Sequence, residues 1–344
     1  MRSRGNLLLL LLSIVLSLAA AEVVARGYWR FRMHASLLHP DRVLYAFYPE
    51  LQEANRAHPT RDDGYEDILM LGGSTLHRDW GAIEKVLAER LAFAGHRRVR
   101  LHNLAREAHT SRDSRLKYEA LPRARFDLVL FYDGINEARA NNVPPQLFRE
   151  DYGHYSWYRI VNAMAPYHGR ARLALPMTGR LLATSAGMAL HPGGYVPTAW
   201  PRQDWLRYGA DLRSAVSFRR NLERVLSLAA ERGDPVLLLT FATYVPRNYE
   251  KIEFKRGHLD YGTHAIPLEM WGDPKNVLAA VAAHNGVVRE LAARTPGVHL
   301  VDEAQLLADQ PRYFNDPCHL TVDGSIAFVD HAMPAVLAAL GSPE

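Results

Sequence analysis

Apolar residues fall into two kinds of run along this chain. Short, nearly continuous runs recur at 67–71, 99–104, 126–132, 235–241 and 298–301. Runs of this length, rich in Val, Leu, Ile and Phe, read as strands buried on both faces. Between them the apolar positions recur every three to four residues. The stretch 80–94 puts Ile83, Val86, Leu87 and Leu91 on one face and is closed by Gly95, which predicts a helix. Further helical patterns cover 111–121, 210–231, 277–293 and 323–340. Strands alternating with helices predict an α/β fold, with a central parallel sheet of about five strands covered on both faces.

Two stretches depart from the alternation. Residues 33–64 are polar, carry Pro40, Pro49 and Pro59, and lack a strong period; they read as a linker and lead-in. Residues 138–209 are rich in Tyr, Trp, Pro and Gly without a clear period in their middle. They read as an insertion in the body at 65–344, and as a candidate cap over a site. A loop at 243–276 brings Tyr244, Tyr249, Phe254, Tyr261 and Trp271 to the exit of the fourth strand. Those rings either line a groove or pack the loop down.

The N-terminus has a pattern of its own. Arg2 and Arg4 precede an apolar run over 7–21 that only Ser13 and Ser17 interrupt. Ala19-Ala20-Ala21 offers a small-x-small cleavage site, as in a signal peptide. Extended to Ala25 the run holds one charge, Glu22. As a helix it is about 28 Å long, close to a hydrocarbon core. Gly27-Tyr28-Trp29-Arg30-Phe31-Arg32 then reads as an aromatic belt with snorkelling arginines. Residues 1–32 are therefore a signal peptide or a signal-anchor helix, and the length favours the anchor. Either puts the body outside the cytoplasm, on a single membrane anchor or secreted into the periplasm.

Composition adds exclusions. At 344 residues, 48% hydrophobic and 23% charged, the chain is of ordinary globular type. Its net charge of +4 comes from scattered basic residues, of which only Lys85, Lys117, Lys251, Lys255 and Lys275 are lysine. No basic stripe is interleaved with aromatics, which argues against nucleic acid as a partner. Cys318 is the only cysteine, so no intrachain disulfide forms.

The candidate chemistry lies at the strand exits. Gly72-Gly73-Ser74-Thr75 follows the first strand, and Asn103-Leu104-Ala105-Arg106-Glu107-Ala108-His109-Thr110-Ser111 follows the second. Gly134-Ile135-Asn136-Glu137 follows the third. Asn315-Asp316-Pro317-Cys318-His319 comes after the fifth, just before the last helix. In a parallel sheet these exits share the carboxyl edge, where open α/β folds bind ligands. The glycine pair lets the backbone turn sharply beside Ser74. A helix starting soon afterwards would add free N–H groups facing the same spot. His77, His102 and His109 lie near the site in sequence, but their spacing fits no standard metal pattern. No metal or cofactor is expected.

Four such blocks in this order resemble the SGNH or GDSL-type serine hydrolases, over about residues 65–340. The resemblance implies a flavodoxin-like three-layer α/β/α sandwich, and ester hydrolysis or acyl transfer. It implies Ser74 as nucleophile, His319 as general base and then acid, and Asp316 as the residue that orients His319. A serine hydroxyl is a poor nucleophile until a base takes its proton. Imidazole can take and return that proton near neutral pH. The oxyanion hole implied is the backbone N–H of Ser74, the N–H of Ala108 and the side chain of Asn136. Ala108 departs from the family, which uses glycine there. The methyl group limits φ and stands beside the oxyanion. Glu137 stands where the family's third block ends in aspartate, and Gly-Gly-Ser-Thr replaces Gly-Asp-Ser-Leu. The expectation is an exported serine esterase or acylhydrolase acting through an acyl-enzyme. Its substrate would be an acyl-ester small molecule or an acylated carbohydrate of the cell envelope. The rivals are an O-acyltransferase on an envelope polysaccharide and a non-catalytic carbohydrate-binding relative.

Overall fold

A computed structural model describes residues 2–61, 63–196 and 201–341. The expected N-terminal segment, linker, insertion and body reach residues 1, 62, 197–200 and 342–344 respectively, which lie outside the described residues. The five apolar runs form β1 (Glu66–Gly72), β2 (Val99–Asn103), β3 (Leu128–Tyr132), β4 (Val236–Leu239) and β5 (Val298–Val301). All pair in parallel, in the order β2-β1-β3-β4-β5. This is the flavodoxin-like order, and its switch point lies between β1 and β3. The register pairs Leu69 with Val129 and Leu130 with Leu237.

The helices are α1 (Arg2–Met33), α2 (Glu50–Ala57), α3 (Ile83–Phe93), α4 (Ser111–Glu119), α5 (Ser156–Met164), α6 (Leu175–Leu190), α7 (Ser214–Arg232), α8 (Lys251–Lys255), α9 (Pro274–Arg294), α10 (Glu303–Leu306) and α11 (Val322–Leu340). Strand side chains alternate between two apolar layers. Leu69, Leu71, Val129 and Phe131 meet Leu116 of α4 and Phe218, Leu222 and Val225 of α7. Ile68, Met70, Leu128 and Leu130 meet Ile83, Val86 and Leu87 of α3 and Phe328, Val329 and Val336 of α11. Burial on both faces is why the strands read as continuous apolar runs.

Three local differences from the sequence pattern matter for the site. The chain after Ser74 makes a 3-10 turn (Ser74–Leu76), and α3 begins only at Ile83. No helix N-terminus therefore faces Ser74 from that side. Residues 33–64 hold a 3-10 segment (Pro40–Ala46) and α2, and bury Val43, Leu44, Phe47, Tyr48 and Leu51. Their anchoring groups are single aromatic and aliphatic side chains on short turns, which leave no period. Trp29, expected in an interfacial belt, is buried in the body. It packs edge-on against Phe47 and donates Nε1–H to Thr178 Oγ1 of α6 at 3.0 Å. The segment Gly5–Met33 is long and apolar enough to cross a membrane, with a mean hydropathy of 2.7 over its best window.

Candidate active site

Ser74 sits at the carboxyl end of β1, beside the switch point. Two glycines make room for it. A Cβ on Gly72 would stand 2.5 Å from Tyr132 O, and one on Gly73 would stand 2.7 Å from Asn136 Nδ2 and 3.3 Å from His109 O. The contacts at 2.5 and 2.7 Å are too close for a real Cβ, and the one at 3.3 Å is tight. The bare Gly73 backbone lets the third block press against the serine turn.

The structure brings Ser74, His319 and Asp316 together from positions 245 residues apart. His319 Nε2 lies 2.8 Å from Ser74 Oγ. His319 Nδ1 lies 2.7 Å from Asp316 Oδ2 and 2.9 Å from Oδ1. The carboxylate can only accept, so the ring proton belongs on Nδ1, and Nε2 is left to accept from the serine hydroxyl. Asp316 is itself held by three backbone donors: Cys318 N at 3.0 Å, His319 N at 2.9 Å and Ile266 N at 3.2 Å. All three side chains are buried. Trp80 stacks on His319 with centroids 4.3 Å apart and closes one face of the ring. Burial pushes the Cys318 thiol well above its usual range, which keeps it protonated and poorly nucleophilic.

The Asn136 amide lies beside the serine turn, its Nδ2 2.7 Å from where a Cβ on Gly73 would stand. Ala108 has φ of 61°, the left-handed region where glycine is free and alanine is strained. Arg139 Nη2 donates to Ala108 O at 2.7 Å and holds the turn. Among the described residues, no protein acceptor meets the N–H of Ser74 or of Ala108. Asn136 Nδ2 donates to His109 O at 2.7 Å, and Asn136 Oδ1 accepts from Trp271 Nε1 at 2.9 Å. The indole, a donor only, fixes which end of the amide faces the serine. The other rings of its loop pack against one another: Tyr244 on Tyr261 and Phe314, Phe254 on Tyr249 and Tyr261. Trp271 is the one that reaches a candidate site residue.

Beneath this turn runs a buried polar network that links four elements. Lys117 of α4 pairs with Glu50 of α2 at 2.8 Å, donates to His109 Nδ1 at 2.7 Å, and also reaches Leu104 O. Burial pushes the His109 pKa down to about 4, with Lys117 adding to the effect, so its ring is neutral. Asp113 accepts from Tyr48 and Tyr158 hydroxyls at 2.7 and 2.5 Å and from Trp157 Nε1 at 3.1 Å. Burial works against its charge, yet His109, Lys117, the Tyr158 hydroxyl and the Thr110 N–H together hold its carboxyl below the usual range. Behind Gly73, burial raises Asp133 to about 7 and Glu137 well above the carboxylate range. Ser114 Oγ donates to Asp133 at 2.6 Å, and Ser111 N donates to Glu137 at 2.5 Å. The two carboxyls thus tie the start of α4 to the exit of β3.

A cavity of about 250 Å³ opens beside Ala108 and Asn136. Tyr152, Tyr155, Trp157 and Tyr158 of the 138–209 stretch form one part of its wall, and Glu107, His109, Thr110 and Arg139 another. A second cluster, His77, Asp79 and Glu107, gathers ligand-type atoms within 4.8 Å of one another. Arg106 Nη1 lies 2.5 Å from His77 Nε2 and can only donate. The proton of a neutral His77 is therefore on Nδ1, which faces Glu107 at 3.2 Å. That nitrogen offers no lone pair to a cation.

The sequence pattern supplied Ser74, Asp316, His319, Ala108 and Asn136; the structure joins Ser74, His319 and Asp316 by hydrogen bonds and puts the Asn136 amide beside Gly73. The pattern missed Trp80, Arg139 and the Glu50–Lys117 pair, and named Trp271 only as one of the rings of the 243–276 loop. Trp80 and Trp271 stand beside or within the singled-out loops, but no spacing marks them. Glu50 and Lys117 meet only through tertiary packing.

No family model and no curated protein matches the chain. Several solved structures are similar to it in fold. An acetyl xylan esterase is 16% identical, with 78% of this chain and 99% of that chain covered, at a TM-score of 0.42. A GDSL-like lipase from Bacteroides thetaiotaomicron VPI-5482 is 13% identical, covering 85% and 98%, at 0.46. A lipase/acylhydrolase from Enterococcus faecalis is 12% identical, covering 81% and 99%, at 0.43. These names describe those proteins.

Proposed function

We propose that this chain is a serine ester hydrolase, held by α1 as a signal anchor with its body outside the cytoplasm, and that it works through an acyl-enzyme on Ser74. The observation that carries the reading is the unbroken chain Ser74 Oγ, His319, Asp316 at the carboxyl edge of the sheet.

In the first half-reaction, His319 Nε2 takes the Ser74 proton as Oγ bonds to the ester carbonyl carbon. Negative charge grows on the carbonyl oxygen, and the N–H groups of Ser74 and Ala108 and the Asn136 amide stabilise it. Asp316 stabilises the imidazolium. Collapse breaks the carbon–alkoxy bond, and the leaving oxygen takes the proton from Nε2. In the second half, water gives its proton to Nε2 and its oxygen to the acyl carbon, and Ser74 leaves with the returned proton. The leaving oxygen must lie near Nε2, so the alcohol limb lies on the His319 and Trp80 side. The acyl limb then enters the cavity beside Ala108 and Asn136. At about 250 Å³ the cavity is below the ~300–1,000 Å³ of clefts for drug-sized ligands, and it suits a short to medium acyl group.

The test is hydrolysis of a chromogenic ester series by the full chain in detergent, with Ser74→Ala beside it. The expected result is turnover that Ser74→Ala abolishes and that falls off sharply beyond medium acyl length. No turnover of any ester, with or without carbohydrate acceptors, would favour the binding-protein rival. Acyl transfer to an added sugar in preference to water would favour the acyltransferase.

A further inference from the structure

The anchor helix does not leave the body freely. Glu22 of α1 accepts Ala174 N and Leu175 N, each at 2.8 Å, and so caps the start of α6. Arg26 pairs with Glu22 at 2.7 Å and donates to Leu37 O at 2.8 Å and Arg172 O at 3.0 Å. One turn further, Trp29 is buried. The loop after α1 and the loop before α6 are thus clamped to the helix at the level of residues 22–26.

Length then decides where the bilayer ends. From Leu7 to Ala21, the last residue before this clamp, the apolar helix is about 22 Å long. A hydrocarbon core is about 30 Å thick. A helix that is too short draws the membrane toward its flanking residues. The flanking residues here are built for that. Leu38 is 76% exposed, Leu173 54% and Leu37 46%, and all three stand on the two clamped loops. Val23 and Val24 are exposed on the helix between them. Arg170 and Arg172 are exposed in the same loop as Leu173, which suits a surface of anionic headgroups.

We propose that these two loops form a collar that seats the base of the body in the interface of an anionic phospholipid bilayer, with Leu37, Leu38 and Leu173 below the headgroups and Arg170 and Arg172 among them. The inference rests on the signal-anchor reading above. It adds that the body is docked at a fixed height and orientation, with the 138–209 stretch that lines the acyl cavity joined to the docked face through α6.

The test uses the full chain in vesicles of phosphatidylethanolamine and phosphatidylglycerol. A nitroxide is attached to a cysteine placed at Val15, Leu38, Leu173 or Leu306, one at a time. The natural Cys318 is buried and stays unlabelled. Accessibility to oxygen and to a water-soluble nickel chelate gives the depth of each label. The expected result is a label at Val15 in hydrocarbon and labels at Leu38 and Leu173 at interface depth. Their nickel accessibility should be at least threefold below that of the label at Leu306, an exposed leucine of α10. Labels at 38 and 173 as open to nickel as 306, with Val15 in hydrocarbon, would overturn the collar and leave the anchor standing. A label at Val15 in water would overturn both.

Discussion

At the level of single residues, the reading of the site rests on a few donors and their geometry. Asn136 is held at both ends, by His109 O and by Trp271 Nε1, so its loss removes a positioned donor and leaves the backbone of β3 in place. Asn136→Ala should lower kcat by roughly 10²–10³-fold, with a modest change in melting temperature; steady-state kinetics and a thermal melt on the same sample check it. Ala108 runs the other way. Its left-handed φ of 61° costs about 1–2 kcal/mol for an L-residue with a Cβ, and glycine gives back part of that through its freer unfolded chain. Ala108→Gly should therefore raise stability by about 0.5–1 kcal/mol and keep activity, read by denaturant midpoint and by turnover. A fall in the midpoint would mean that the alanine methyl group packs usefully in the turn. The polar residues of the site were legible in the sequence because each follows a strand run and so had to come to one edge. Glu50 and Lys117 were not, because an ion pair between two distant helices leaves no mark on local periodicity.

At the level of elements, the site is assembled from strand exits and two loops that reach back over them. The strands were legible because burial on both faces makes their sequence continuously apolar. The start of α3 was not: the period from Trp80 runs on in sequence, while in space Trp80 has turned to stack on His319 and the helix begins three residues later. The loop at 243–276 takes the packed-down fate of the two that its composition allowed. Tyr244, Phe254 and Tyr261 pack it down, and Trp271 hydrogen-bonds to Asn136. Trp271→Phe keeps the ring and removes the donor. It should lower kcat about tenfold with little change in KM, because the Asn136 amide loses the contact that sets its orientation, and should cost about 1 kcal/mol of stability. Unchanged kcat would show that His109 O alone is enough to orient the amide.

At the level of the whole molecule, two buried carboxyls, Asp133 and Glu137, contribute to a pH dependence of stability in the less usual direction. Burial raises the Asp133 carboxyl to about 7. In the unfolded chain it ionises near its ordinary value of about 3.9. Between those values the folded state holds a proton that the unfolded state has lost, so stability falls as pH rises. This contribution is full below about pH 4 and is lost as pH climbs through about 7. Asp133→Asn removes the titration, and the slope of unfolding free energy between pH 4 and 7 should flatten. Denaturant melts across that range check it, and an unchanged slope would place the titrating group elsewhere. On the same scale, residues 33–64 tie α1 to α4: Phe47 meets Trp29, Tyr48 meets Asp113, and Glu50 meets Lys117. Helix α1, the 138–209 stretch and the candidate site thus share one packed body.

The central claim is that Ser74 carries the acyl group. The direct measurement is intact-protein and peptide mass spectrometry after incubation of the full chain with a fluorophosphonate, and separately with a slow-turnover acyl ester quenched in acid. The account predicts a single adduct on the peptide containing Ser74, formed at a rate that drops by orders of magnitude in His319→Ala and absent in Ser74→Ala. An adduct on another residue, or equal labelling of the Ser74→Ala variant, would contradict it.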